Sequence, residues 1–184
     1  MINYEKLIQY ALRIIAKKRY TSFEMEKKLK LFAAKQEKIA QRNEEEDLEE
    51  GIERLSKISN EKSLFSADIE KVLERLRELR YLNDSGYAED YIADKIRFRP
   101  RGKFLLAREL KLKGLDSDLI KNALEKQNID ESGIAAQALE RKMRQWQNLP
   151  LQKQRERAYR FLASKGFEPD AIYKAVNCCY SKLT

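Results

Sequence analysis

The densest set of ligand-binding side chains is Lys95-Ile-Arg97-Phe-Arg99-Pro-Arg101-Gly-Lys103, five cations in nine residues with Phe98 among them and no acid. Arg108, Lys111 and Lys113 extend it. A second group, Lys153, Arg155, Arg157 and Arg160, lies beside Tyr159 and Phe161 and follows Arg141, Lys142 and Arg144. Fixed positive charge at this density attracts phosphate oxygens or an acidic protein groove, and the attraction weakens as salt rises. The bland reading of one such stripe is a solubilising helix face. Recurrence at equivalent places in the chain brings a binding surface level with that reading.

Bond-making chemistry finds no comparable set. The chain has no His, which excludes Ser-His-Asp and Cys-His nucleophile pairs, an HExxH zinc helix and an imidazole haem ligand. Its two cysteines, Cys178 and Cys179, are adjacent, where bridging is geometrically poor; they suit helix packing in a reducing compartment. Glu89, Asp90 and Asp94 read as an exposed helix face and Asp84 as a helix cap, so a Mg2+ site is not expected. Tyr87 and Tyr91 near arginines lack the assembled acids and bases of a tyrosine recombinase. Pro100-Arg101-Gly102 has one glycine and is no phosphate loop. The expectation is a binding protein without cofactor or metal, not an enzyme.

Among 184 residues, 38 Lys and Arg face 30 Asp and Glu, a net charge of +8. Charged residues make up 37%, well above the roughly 25% of average domains, yet 42% are hydrophobic, enough for a core. No run approaches the ~18 to 20 apolar residues of a membrane span. The N-terminus reads as an amphipathic helix rather than a signal peptide, and a cytoplasmic location fits.

Three Pro and six Gly among charged helix formers predict an all-α chain. Tyr4, Leu7, Ile8, Ala11, Ile14 and Ile15 share one helix face. Thr21-x-x-Glu24 is a capping box that opens a second helix. Ser66 precedes a third amphipathic run from Ile69 to Leu79, and Asn83-Asp84-Ser85 offers caps for a fourth, which Pro100-Arg101-Gly102 breaks. A fifth stops at Gly114, suited to the left-handed position after a helix, and Asp116 caps a sixth. Ala135 to about Trp146, Pro150 to Lys165, and a helix opening at Pro169 complete the set, with Trp146 as an anchor for the first of these.

Self-similarity organises these elements. Leu110-x-x-Lys113-Gly114-x5-Ile120-x-x-Ala123-Leu124 recurs as Leu162-x-x-Lys165-Gly166-x5-Ile172-x-x-Ala175-Val176 at an offset of 52. Phe23, Met25 and Leu29 match Phe104, Leu106 and Leu110 at an offset of 81, and Ile69, Val72 and Leu73 match Ile120, Ala123 and Leu124 at 51. The first copy is interrupted by about thirty residues, which carry Glu44-Glu45-Glu46-Asp47 and Glu49-Glu50 and read as a solvated helical excursion or mobile arm. The expected domains are three three-helix repeats: 1–82 with the charged insert at about 33–62, 83–128, and 129–184. Units this small must lend burial to one another, so they are expected to stack into an elongated, curved body of helix-turn-helix-like units. Charge follows the repeat: residues 1–30 net +5, 85–114 net +4 and 134–166 net +6, whereas 115–133 net −3.

The segment Val72-Leu73-x-Arg75-Leu76-x-x-Leu79-x-Tyr81-Leu82-Asn83-Asp84-x-x-Tyr87-Ala88-x-x-Tyr91-Ile92, with Arg97, Arg101-Gly102, Leu106, Glu109-Leu110 and Lys113-Gly114, resembles the central unit of the RecX family of bacterial regulatory proteins. Ala11-Leu12-x-x-Ile15-Ala16 and Ser22-x-Glu24-x-x-x-Lys28-Leu29 resemble its first unit, and Arg160-Phe161-Leu162-x-x-Lys165-Gly166-Phe167-x-x-x-x-Ile172 its last. Arg80 departs from the pattern, standing where the family usually has Gly. The resemblance implies three tandem three-helix repeats, a cytoplasmic location, and negative regulation of recombination and the SOS response. It further implies binding in the helical groove of the RecA filament on DNA, and suppression of filament growth, ATPase and strand exchange. The cations named above are then the expected contacts with RecA or, weakly and without sequence preference, with DNA. The runner-up is an independent DNA-binding protein of helix-turn-helix-like repeats. A monomer is the simplest expectation.

Overall fold

The computed structural model describes the backbone of residues 3–45 and 54–181, and the side chains of 3–39 and 66–181. The described residues form nine helices: α1 (Tyr4–Ile15), α2 (Ser22–Glu45), α3 (Arg54–Glu78), α4 (Asp84–Phe98), α5 (Lys103–Leu112), α6 (Ser117–Lys126), α7 (Glu131–Met143), α8 (Leu151–Ser164) and α9 (Pro169–Ser181). They carry no strand.

Local chemistry places the ends. Asn3 Oδ1 accepts from Lys6 N at 3.1 Å, capping α1. Thr21 Oγ1 accepts from Glu24 N at 3.1 Å while Glu24 Oε2 accepts from Thr21 N at 3.5 Å, so the capping box forms at the start of α2. Asp116 and Asp130 cap α6 and α7 through Asp118 N (2.9 Å) and Ser132 N (3.1 Å). Gly114 and Gly166 follow α5 and α8 at φ 79° and 76°, the left-handed conformation that glycine adopts without penalty.

Two helix starts differ from the sequence expectation. Ser66 lies inside α3, which begins at Arg54. Glu131 opens α7, ahead of Ala135. Helices α2 and α3 run into the insert at their far ends, whereas Glu46, Asp47, Glu49 and Glu50 lie outside the described residues.

Burial is grouped by threes. Leu7, Ala11, Met25, Leu29, Val72, Leu73 and Leu76 form a core among α1, α2 and α3. Ala88 and Ile92 of α4 meet Leu106, Leu110, Ile120 and Ala123 of α5 and α6. Ala135, Leu139, Ala158, Leu162, Ile172, Ala175 and Val176 join α7, α8 and α9. Trp146, just past the end of α7, is 8% exposed and meets Phe161 edge-on at 6.0 Å between ring centroids. Each fully buried Leu contributes about 1.5–3 kcal/mol. The repeat offset is visible in these cores, since Leu110, Ile120 and Ala123 occupy the positions of Leu162, Ile172 and Ala175.

Residues 1–84 and 85–184 are two compact units. In the second, the three-helix groups of α4–α6 and α7–α9 meet directly. Gly102 N donates to Lys165 O at 3.0 Å, and a β-carbon on Gly102 would overlap the Gly166 carbonyl. Glu131, 7% exposed, spans the joint: Oε1 accepts from Lys103 N at 2.5 Å and Oε2 from Glu168 N at 3.4 Å. One carboxylate thus serves the N-terminal amides of α5 and α9, where the helix dipole favours negative charge. Helix α5 has no side-chain cap of its own at Gly102. Asp84, in the first unit, does the equivalent for α2, its Oδ1 accepting from Ser22 N at 2.8 Å.

Candidate nucleic-acid interface

The contiguous stripe Lys95–Lys103 spans the end of α4, the Pro100 break and the start of α5, and folding divides it. One part gathers where α4 faces α5. Tyr87 and Tyr91, one turn apart on α4, stack at 6.1 Å between centroids. Lys113 Nζ lies 5.3 Å and 5.6 Å from these two rings, and Lys95 Nζ lies 4.9 Å from Tyr91. Ammonium groups over tyrosine faces are held by the ring quadrupole. Arg101 pairs with Glu109, which also accepts from the Tyr91 hydroxyl at 2.8 Å.

Burial holds the Lys95 ammonium below the usual lysine pKa, and the neighbouring charges of Arg101, Arg99 and Lys113 lower it further, with Asp94 opposing. Four cations therefore share one small field, with Glu109 committed to Arg101. Such a cluster gains when a polyanion arrives, because phosphate relieves the like-charge repulsion that the fold imposes. The adjoining tyrosine faces suit the stacking surfaces with which proteins hold single-stranded bases.

The other predicted cations go elsewhere. Arg97 lies over the exposed Phe98 ring at 5.2 Å. Lys103, Arg108 and Lys111 line a groove between α5 and α6. At ~100° per residue Arg108 and Lys111 sit roughly 100–160° around the helix from Glu109 and from Lys113, which follows α5. Arg141 and Arg144 are exposed near the end of α7, and Lys142 bonds Gln145 at 2.5 Å. Lys153 and Arg157 are exposed on α8 and Arg160 pairs with Glu156 at 3.7 Å. Arg155 turns inward to Asn177 Oδ1 (2.8 Å) and the Tyr180 ring (5.9 Å), tying α8 to α9.

Sequence reasoning missed the roles of Tyr87, Tyr91, Glu109 and Glu131. The i, i+4 spacing of the tyrosines, beside a cation-rich segment, was the available signal. Glu131 gives none, because it is one of several acids in the segment 115–133 and has no local partner to mark it.

Family models describe the second three-helix domain of RecX over residues 83–124 and the third over residues 130–176. The regulatory protein RecX of Chlorobaculum tepidum is 32% identical over 115 residues, which cover 62% of this chain and 70% of that protein. The chain belongs to the RecX family. Bacillus subtilis RecX, also named a regulatory protein, is 33% identical over 110 residues, 59% of this chain. The match spans only 42% of the length of that Bacillus relative. The crystal structure of RecX from Lactobacillus salivarius superposes with a TM-score of 0.69 over 96% of both chains at 19% identity, so the all-helical RecX fold is shared. In RecX terms, the cation and tyrosine cluster belongs to the second three-helix domain, and Glu131 joins that domain to the third.

Proposed function

We propose that this chain is a negative regulator of homologous recombination and the SOS response, which binds the RecA nucleoprotein filament, in its helical groove, and inhibits filament extension, ATPase and strand exchange. Membership of a family of regulatory proteins carries the reading. The cation and tyrosine cluster of α4 and α5 supports it, because a groove with DNA at its centre offers phosphates and bases together. On this reading the protein makes and breaks no bond and needs no cofactor. Lys95, Arg99, Arg101 and Lys113 meet nucleic acid or filament, and the exposed cations of α7 and α8 extend that contact.

The alternative of an independent, sequence-reading DNA-binding protein is less well supported. The helix that would enter the major groove in such a unit, α6, carries two acids and two bases. Purified protein added in equimolar amount to a DNA-stimulated RecA ATPase assay is expected to slow hydrolysis; unchanged hydrolysis refutes the proposal. Tight, sequence-selective binding to duplex DNA without RecA would favour the alternative.

A further inference from the structure

Three of the cations that do not join the tyrosine cluster, Lys103, Arg108 and Lys111, border an apolar groove. It lies between α5 and α6, measures about 640 Å3, and has Phe104, Ala107, Ile120 and Leu124 along its floor. Phe104 is 72% exposed and Leu112, two turns along the same face of α5, is 76% exposed. Around this floor stand Lys103, Arg108 and Lys111 of α5 and Lys121 of α6, against Glu125 alone. None of these four side chains is in an ion pair among the described residues.

The groove is a property of the repeat. At the offset of 52, Ala107, Arg108, Ile120 and Lys121 become Tyr159, Arg160, Ile172 and Tyr173, which line a groove of about 630 Å3 between α8 and α9. At the offset of 81, Phe104, Arg108 and Lys111 become Phe23, Lys27 and Lys30, again around one hollow. An exposed aromatic ring beside a cation thus recurs where the core gives no reason for it. A phosphate backbone would gain from the cations but would bury charge against Phe104 and Leu124, at a desolvation cost. An apolar stripe flanked by carboxylates satisfies both parts of the groove.

We infer that the α5–α6 groove docks an acidic amphipathic helix of a protein partner, its apolar residues on Phe104, Ile120 and Leu124 and its carboxylates on Arg108, Lys111 and Lys121. The binding mode is helix in groove. This surface is distinct from the tyrosine cluster and stands or falls independently of nucleic-acid binding there.

The test uses the full chain, labelled for amide NMR, and three probes. These are a synthetic helical peptide with Leu and Phe on one face and Glu on both flanks, the same peptide with Lys for Glu, and a single-stranded DNA of about 20 nucleotides. The acidic peptide is expected to shift the amides of Phe104, Ala107, Ile120, Lys121 and Leu124. Phe104→Ala, whose side chain is outside the core, should weaken it about tenfold with unchanged helicity. The double variant Lys111→Glu and Lys121→Glu should transfer preference to the Lys-flanked peptide. Equal binding of both peptides to the unaltered chain, shifts confined to other helices, or displacement of the acidic peptide from these residues by the DNA would overturn the inference.

Discussion

Gly102 and Gly166 meet backbone to backbone, with no room for a β-carbon on Gly102 beneath the Gly166 carbonyl. Gly102 has φ −74° and ψ 162°, a conformation open to any residue, so its requirement is one of space. Gly102→Ala is expected to cost about 1–3 kcal/mol through overpacking. Glu131→Ala, which strips Lys103 N and Glu168 N of their acceptor, should cost a similar ~1–3 kcal/mol, and Glu131→Gln less. Urea unfolding of each variant checks this; an unchanged midpoint for both would mean that the joint contributes nothing to stability.

Arg80 takes the left-handed conformation, φ 58°, after α3, where Tyr81 N and Leu82 N both donate to Leu76 O at 2.9 and 3.2 Å. The turn that the family pattern assigns to glycine is thus made with a side chain in place, at a steric cost of about 1–2 kcal/mol. Arg80→Gly should recover up to ~1 kcal/mol after the added entropy of glycine, raising the melting temperature by roughly 2–4 °C. Calorimetry decides it, and a lower melting temperature would show that the Arg80 side chain makes compensating contacts.

The Tyr180 hydroxyl is buried with no hydrogen-bond partner among the described residues. Tyr180→Phe is expected to stabilise by about 1 kcal/mol. Burial raises the phenol pKa above its usual 10.0, with Cys179 adding to the rise and Arg155 opposing. Since the unfolded phenol ionises first, the contribution of Tyr180 is constant below that pH and declines as pH climbs through it. Tyr180→Phe should therefore flatten the alkaline loss of stability, seen by chemical denaturation across that range.

Lys95 gives the opposite sign. Its pKa is lowered in the fold, so the protonated ammonium disfavours folding at neutral pH, and the penalty fades as pH rises toward 10.5. Lys95 should react with an acylating reagent at pH ~8–9 faster than the exposed lysines. Nucleic acid should protect it, by restoring the charged form. Mass spectrometry of brief acylation checks both; uniform labelling would deny the cluster its field.

Charge reversal separates two kinds of arginine in the stripe. Arg97→Glu with Arg99→Glu should change stability by no more than ~0.5 kcal/mol while weakening filament inhibition and its salt dependence. Arg101→Glu is different: its side chain is only 22% exposed and faces Glu109 at 19%, so reversal sets two carboxylates together. A loss of about 1–2 kcal/mol is expected there. Parallel melting and ATPase measurements distinguish them, and equal destabilisation by all three would assign the whole stripe to structure.

Much of the architecture was legible in the order of residues. Heptad-like apolar spacing, the Thr21-x-x-Glu24 box, Gly114, Gly166 and the repeat offsets are local or periodic signals, and each is satisfied within a few turns of backbone. They were enough to determine an all-helical chain and the three-helix repeat; composition supplied the excess of positive charge, and the family came from the resemblance of the spaced motif. Tertiary structure alone decided where that charge goes. Neighbours in the stripe sit ~100° apart once α5 winds, so Glu109 and Lys113 fall on one side of the helix and Arg108 and Lys111 on the other. Lys95 becomes unusual only when folding partly buries it and brings the charges of Arg101, Arg99 and Lys113 beside it. Glu131 shows the same limit: nothing about an acid in a linking segment announces that two distant helix ends will close upon it, because its partners are backbone amides brought there by folding.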